Sequence, residues 1–89
     1  MTILFFGTRL QFERYKESIR NHCLLSNYII KFDSRDYFEY EAVKIHNIDP
    51  RSDPENRLRG MRADRLVIEE APSKEWHHEL NMCLHASRF

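Results

Sequence analysis

A chain of 89 residues with 42% apolar and 12% aromatic content has the make-up of one small globular domain, residues 1–89, and not of a disordered or repetitive protein. Its 14 basic side chains balance 14 acidic ones, and a net charge of zero argues against both a uniformly basic nucleic-acid binder and an acidic DNA mimic. Cys23 and Cys83 are too few for a disulfide framework, and no apolar run approaches a membrane span, so a reduced, cytoplasmic setting without a membrane partner is expected.

Residues 2–6 (Thr-Ile-Leu-Phe-Phe) are a continuous apolar run closed by Gly7, the pattern of a strand buried on both faces. The run is too short for a signal peptide and lacks a basic start and a cleavage site. Thr8 then opens a helix, because Thr8-x-x-Gln11 is a capping-box pattern in which hydroxyl and amide satisfy each other's free backbone donors. Phe12, Tyr15, Ile19 and Cys23 recur at spacings of three and four, which turns one face inward. Arg9, Glu13, Arg14, Lys16, Glu17 and Arg20 fall between them and are expected in water.

Asn27 breaks the helical pattern, and residues 28–32 read as a second strand followed by a turn over 33–36. Residues 37–47 alternate, Phe38 with Tyr40 and then Val43 with Ile45, with a slip of phase near Ala42 that marks a bulge or a break. Residues 28–47 are therefore expected as a hairpin. Residues 49–64, with Pro50 and Pro54, form a polar connection with one helical turn over 54–58. Residues 66–69 are the third apolar run, and Ser73 is placed to cap a last helix striped by Trp76, Leu80, Cys83 and Leu84. The expected fold is α/β: a small, mostly parallel sheet with a β-hairpin and two amphipathic helices, in the order β-α-β-β-β-α.

Charge is unevenly spread. Arg51, Arg57, Arg59, Arg62 and Arg65 crowd the stretch 49–65, where they are either a solvated loop paired with Asp49, Asp53, Glu55 and Asp64 or a contact surface for phosphates. In the second reading Arg57, Arg59, Arg62 and Arg65 are the phosphate- or nucleic-acid-binding candidates, and Tyr37, Phe38 and Tyr40 could stack on bases beside them. At strand spacing these aromatics also suit a core. Glu69 and Glu70 sit together at the end of an apolar strand, where they either meet bulk water or call for a cation. His77, His78, Cys83 and His85 do not make a four-ligand zinc pattern, and no metal site is expected from them.

Arg59-Gly60-Met61-Arg62-Ala63-Asp64 running into Leu66-Val67-Ile68-Glu69-Glu70-Ala71 resembles the Walker B region of P-loop NTPases, and most of all that of the ATPase motor in viral DNA-packaging terminase large subunits. In that family an "R-G-x-R-A-D" loop leads into a strand carrying "I-I-D-E-A". The resemblance implies that Glu69 takes the Mg²⁺-coordinating place and Glu70 that of the catalytic carboxylate, although the first acid is normally aspartate. The strand and helix over residues 2–23 and the hairpin over 28–47 fit the order of the motor's parts. The chain departs from the family in having no G-x-x-x-x-G-K-[ST] loop; its two glycines are Gly7 and Gly60. Without that loop no nucleotide is anchored, and ATP and Mg²⁺ enter only if a second polypeptide supplies it.

The resemblance thus implies a partial NTPase core with an apolar edge flanked by Phe5, Phe6, Val67 and Ile68, covered by another copy or by a partner. The expected function is that of a small, non-enzymatic, phage-type interaction protein. It would bind and modulate a host or phage nucleic-acid-processing protein in the host cytoplasm. Two alternatives stand beside it: an incomplete ATPase whose Glu69 and Glu70 act with a partner's phosphate loop, and a small DNA-binding protein that works through its arginine loop.

Overall fold

In the computed structural model, which describes residues 1–53, 57, 58 and 60–86, the apolar runs become strands and the periodic segments become helices. The elements are β1 (Thr2–Phe6), α1 (Arg9–Ser26), β2 (Ile30–Asp33), β3 (Tyr37–Tyr40), β4 (Val43–Ile48), β5 (Arg65–Ile68) and α2 (Lys74–Ala86). The helical turn expected over 54–58 lies largely outside the described residues, as does Arg59.

The strands form one sheet in the order β2-β3-β4-β1-β5. β1 runs parallel to both neighbours, with Phe6 opposite Ile48 on one side and Ile68 on the other. The β2–β3 and β3–β4 pairs are antiparallel. The sheet is therefore mixed, and the expectation of a mostly parallel one is corrected. The cause lies at Glu41, whose backbone turns left-handed (φ 47°) and folds Tyr40 back onto Val43. The phase slip near Ala42 is thus a chain reversal, and residues 28–47 are a three-stranded meander rather than a hairpin.

Because successive strand residues point to opposite faces, β1 supplies two cores. Ile3 and Phe5 pack with Phe12, Ile19 and Cys23 of α1 and with Phe38 and Ile45. Leu4 and Phe6 pack on the other face with Ile48, Leu58, Ala63 and the Trp76, Leu80 and Cys83 stripe of α2. Phe5 and Phe6 are fully enclosed at the sheet centre, so they do not flank an edge as expected. The open edges are β2 and β5, and at β5 Ile68 is exposed and Val67 half-buried.

Thr8 caps α1 as its sequence demands: its hydroxyl accepts from the Gln11 amide, and the Gln11 side chain accepts from the Thr8 N–H at 2.8 Å. At the other end Asn27 adopts the left-handed conformation, and the Tyr28 amide closes onto the Cys23 carbonyl at 2.9 Å. Thr8→Ala is expected to lower stability by about 1 kcal/mol, read as a lower urea midpoint at unchanged slope.

One residue on α1 departs from its expected exposure. Lys16, assigned to water, is buried under the β2–β3 turn. Its ammonium donates to the Ser34 carbonyl at 2.7 Å and to Asp33 at 3.2 Å, and pairs with Glu13 at 2.8 Å. The ammonium also stands over the Phe12 ring, 5.1 Å from its centroid, and burial of a lysine is tolerable once its head is fully partnered in this way.

Candidate functional site

The parallel register decides where the charged residues go. β1 and β5 start at one end of the sheet, where the Asp64 carboxylate accepts from the Thr2 amide at 2.7 Å and Arg65 stands exposed. They finish at the other end, beside Gly7 and the first turn of α1. Arg65 and the pair Glu69 and Glu70 therefore lie at opposite ends of β5. Arg62 lines a shallow groove of about 390 Å³ against α2, together with Glu79 and Met82. Arg57 alone of the described candidate arginines reaches the carboxyl ends of the strands, so the three that are described, Arg57, Arg62 and Arg65, do not form one phosphate-binding group.

Glu69 continues the ladder one residue past β5, its amide donating to the Phe6 carbonyl at 2.9 Å. Its side chain lines an open groove on the α1 face with Gln11, Arg14, Tyr15 and Ser18. A Cβ on Gly7 would come within 3.3 Å of the Glu69 Cβ and within 2.8 Å of both the Gln11 amide oxygen and the Phe5 ring. The strand end is thus packed tightly enough to need glycine. Glu70, in the bend that follows, is outside that groove. Among the described residues no group of three His, Cys, Asp or Glu side chains stands close enough to hold a metal ion. A magnesium ion on Glu69 or Glu70 would need its remaining ligands from water or a bound phosphate.

The aromatic trio also separates. Phe38 is enclosed in the α1-side core, and Tyr40 is on the same face, stacked at 6.1 Å on Tyr28. Tyr37 faces the other way against His46 and donates to Glu39, and burial, with that acceptor, pushes its phenol up to about 12. They form no common platform for bases. His77 and His78 are exposed, while Cys83 faces the α2-side core, its thiol raised by burial.

A different group comes together between the ends of β1 and β4. After β1 the chain passes to α1 on one face; after β4 it passes to the opposite face, where Leu58 and Ala63 join the α2-side core. Strand ends whose continuations part in this way leave a crevice, the usual ligand position in an open α/β sheet. Here it measures about 190 Å³ and is lined by Arg9, Arg35, Asp36, Asn47, Asp49, Arg51, Ser52 and Arg57. Arg9 comes from the first turn of α1, Arg35 and Asp36 from the β2–β3 turn, and the others from the end of β4 and the segment after it. Arg51 is held by Asp49, at 3.3 Å between guanidinium and carboxylate, and its amide and side chain keep that carboxyl below its ordinary range.

Of this group the sequence had singled out Arg57 and Arg51. Arg9, Arg35 and Asn47 were missed. Asn47 carried a signal, being an amide in the inward-facing phase of β4 that Val43 and Ile45 set, and Arg9 followed a strand, a glycine and a cap.

A second surface gathers at the far end of α1. Leu24, Leu25 and Ile29 are 78%, 85% and 72% exposed, and Tyr28 and Ile30 adjoin them. β2 beside them is exposed along its whole length, with Phe32 open on its other face. No described helix is long and apolar enough to cross a membrane. Comparison with protein-family models, with curated proteins and with solved structures found no match.

Proposed function

We propose that this chain is a non-enzymatic, phage-type interaction protein. It docks an apolar surface of a nucleic-acid-processing protein, of host or phage origin, on the exposed turn between α1 and β2. The observation that carries the reading is the exposure of Leu24, Leu25 and Ile29, close together in the chain, in a domain whose other large apolar side chains are mostly enclosed. Residues 21–30 contain no aspartate, glutamate, lysine or arginine, although 31% of the chain is charged. A surface of that composition suits apolar side chains of another protein and not a phosphate backbone.

Pairing of β2 with a second copy is disfavoured by the edge itself. The ladder is irregular between Ile30 and Phe32, Lys31 sits at that irregularity, and Asp33 is already engaged by Arg20 at 2.7 Å. These are features that blunt an edge strand. The class of partner comes from the resemblance of residues 59–71 to a packaging motor.

Capture from extract of infected cells, with mass-spectrometric identification, tests the reading. The parent protein and its Glu69→Gln/Glu70→Gln form are expected to retain the same nucleic-acid-processing protein, and Leu25→Asp/Ile29→Asp to lose it. Capture unaffected by Leu25→Asp/Ile29→Asp, or recovery of DNA alone, overturns the proposal. So does a parent dimer in sedimentation that the same two substitutions dissolve, since the surface would then belong to a second copy.

A further inference from the structure

The crevice between β1 and β4 has the make-up of a ligand site, and it is separate from the apolar surface at the α1–β2 turn. Three features of it are independent of one another. The first is its place, at the point where the chain leaves two neighbouring parallel strands toward opposite faces. The helix that begins there, α1, is long, and the positive end of its dipole adds to the charge of Arg9 in its first turn.

The second feature is charge. Arg51 is paired with Asp49, which leaves, among the described residues, Arg9, Arg35 and Arg57 facing the same small volume against the carboxylate of Asp36. Among the described residues neither Arg9 nor Arg35 has a carboxylate partner. In a chain with no net charge this local excess is a property of the fold. Its reach is visible at His46, next to Asn47 in β4: burial first, then the Arg57 and Lys44 charges, hold the imidazole below its ordinary value.

The third feature is Asn47. It is 2% exposed, and its amide oxygen is buried without a hydrogen-bond partner. Its backbone is fixed on both sides: the N–H donates to the Asp36 carbonyl and the C=O accepts from the Arg57 guanidinium, each at 2.9 Å. The residue is thus held on the wall of the crevice and orients Arg57, and its enclosed amide oxygen lacks a donor. An unmet buried acceptor is costly, and a ligand that brings a hydroxyl or amine relieves that cost.

We infer that this crevice binds a phosphate monoester that carries a hydrogen-bond donor of its own, with the phosphate among Arg9, Arg35 and Arg57 and the donor on Asn47. A nucleotide has this chemistry, either free or as the 5′-phosphorylated end of a nucleic acid. Guanidinium groups match phosphate oxygens, and a sugar hydroxyl supplies the donor. The volume of about 190 Å³ takes a phosphate and part of a sugar, leaving the rest of the ligand outside.

Calorimetric titration at low salt with inorganic phosphate and with AMP, beside fluorescence anisotropy with a short single strand bearing either a 5′-phosphate or a 5′-hydroxyl, tests the assignment. Saturable binding of AMP is expected, weakened about tenfold or more by Arg9→Ala and by Arg35→Ala. Neither side chain makes a described contact that supports the fold. Asn47→Ala is expected to weaken AMP but not inorganic phosphate. Arg62→Ala/Arg65→Ala, at the other end of the sheet, is expected to change neither. Tighter binding of the phosphorylated strand than of the hydroxyl strand, competed by AMP, would make a nucleic-acid end the source; AMP binding with no such difference would make it a free nucleotide. Absence of saturable binding to any phosphate probe overturns the site. So does binding that survives Arg9→Ala/Arg35→Ala, or that falls equally in Arg62→Ala/Arg65→Ala, which is the behaviour of diffuse surface charge.

Discussion

Trp76→Ala is expected to remove about 4 kcal/mol of stability, a large share of the total a domain of this size holds, on the order of 5–10 kcal/mol. Trp76 is the only tryptophan of the chain, and it joins the three parts of the α2-side core. Its ring lies 4.9 Å from that of Phe6 at the centre of the sheet, and its indole N–H donates to the Pro50 carbonyl at 2.9 Å, tying down the segment that leaves β4. Cutting the side chain back to alanine opens a cavity between α2 and β1 and leaves that carbonyl without its donor. Trp76→Phe keeps the ring and loses the hydrogen bond, so it should cost about 1 kcal/mol. Urea unfolding followed by far-ultraviolet circular dichroism separates the two. A cost below about 1 kcal/mol for the alanine variant would mean that α2 does not rest on the sheet as described.

Lys16→Met is expected to cost about 2 kcal/mol and to flatten the acid side of the stability profile. Methionine keeps most of the side-chain volume but leaves the Ser34 carbonyl without its donor. Asp33 is not orphaned, because the Arg20 guanidinium still donates to both its oxygens at 2.7 and 2.9 Å. That second cation keeps the cost below the loss usual for a buried pair. Asp33 is held below its ordinary value of 3.8, chiefly by the Arg20 hydrogen bonds, and Glu13 below 4.5, chiefly by the Lys16 ammonium. A carboxyl lowered in the folded state contributes in full above its unfolded pKa, and that contribution is lost as pH falls through the folded one. The parent protein should therefore lose stability steadily below about pH 4.5. Lys16→Met lets Glu13 return toward its ordinary value, so its loss over the same interval should be smaller. Parallel curves for the two proteins would show that the contact is not made in solution.

Much of the local structure was legible because its causes are local. The Thr8–Gln11 box, the helix break at Asn27 and the Ser73 cap, which accepts from the Trp76 amide at 3.3 Å, are all set by residues a turn apart. The stripes of α1 and α2 are set by helical periodicity. The reversal at Glu41 was not legible, because that position carries a glutamate at φ 47° where a glycine or asparagine would have announced a turn. Lys16 was misplaced for a related reason: its burial depends on Asp33 and Ser34 arriving from another element, and a helical wheel contains no trace of them.

The candidate site divides along the same line. Glu69 and Glu70 stand at a strand end as their sequence says, but Arg62 and Arg65, near them in the chain, do not join them. Residues along one extended strand are carried apart at over 3 Å per step, which sends Arg65 and Glu69 to opposite ends of β5. Arg9, Arg35, Asn47 and Arg57 lie far apart in sequence and meet because β1 and β4 are neighbours whose continuations leave for opposite faces. Segment type, caps and inward faces follow from the amino-acid order alone, since they rest on interactions within a few residues. Strand order, the burial of Lys16 and the gathering of charge in the crevice belong to the tertiary structure, because a strand's apolar pattern specifies that it is buried and not beside which other strand.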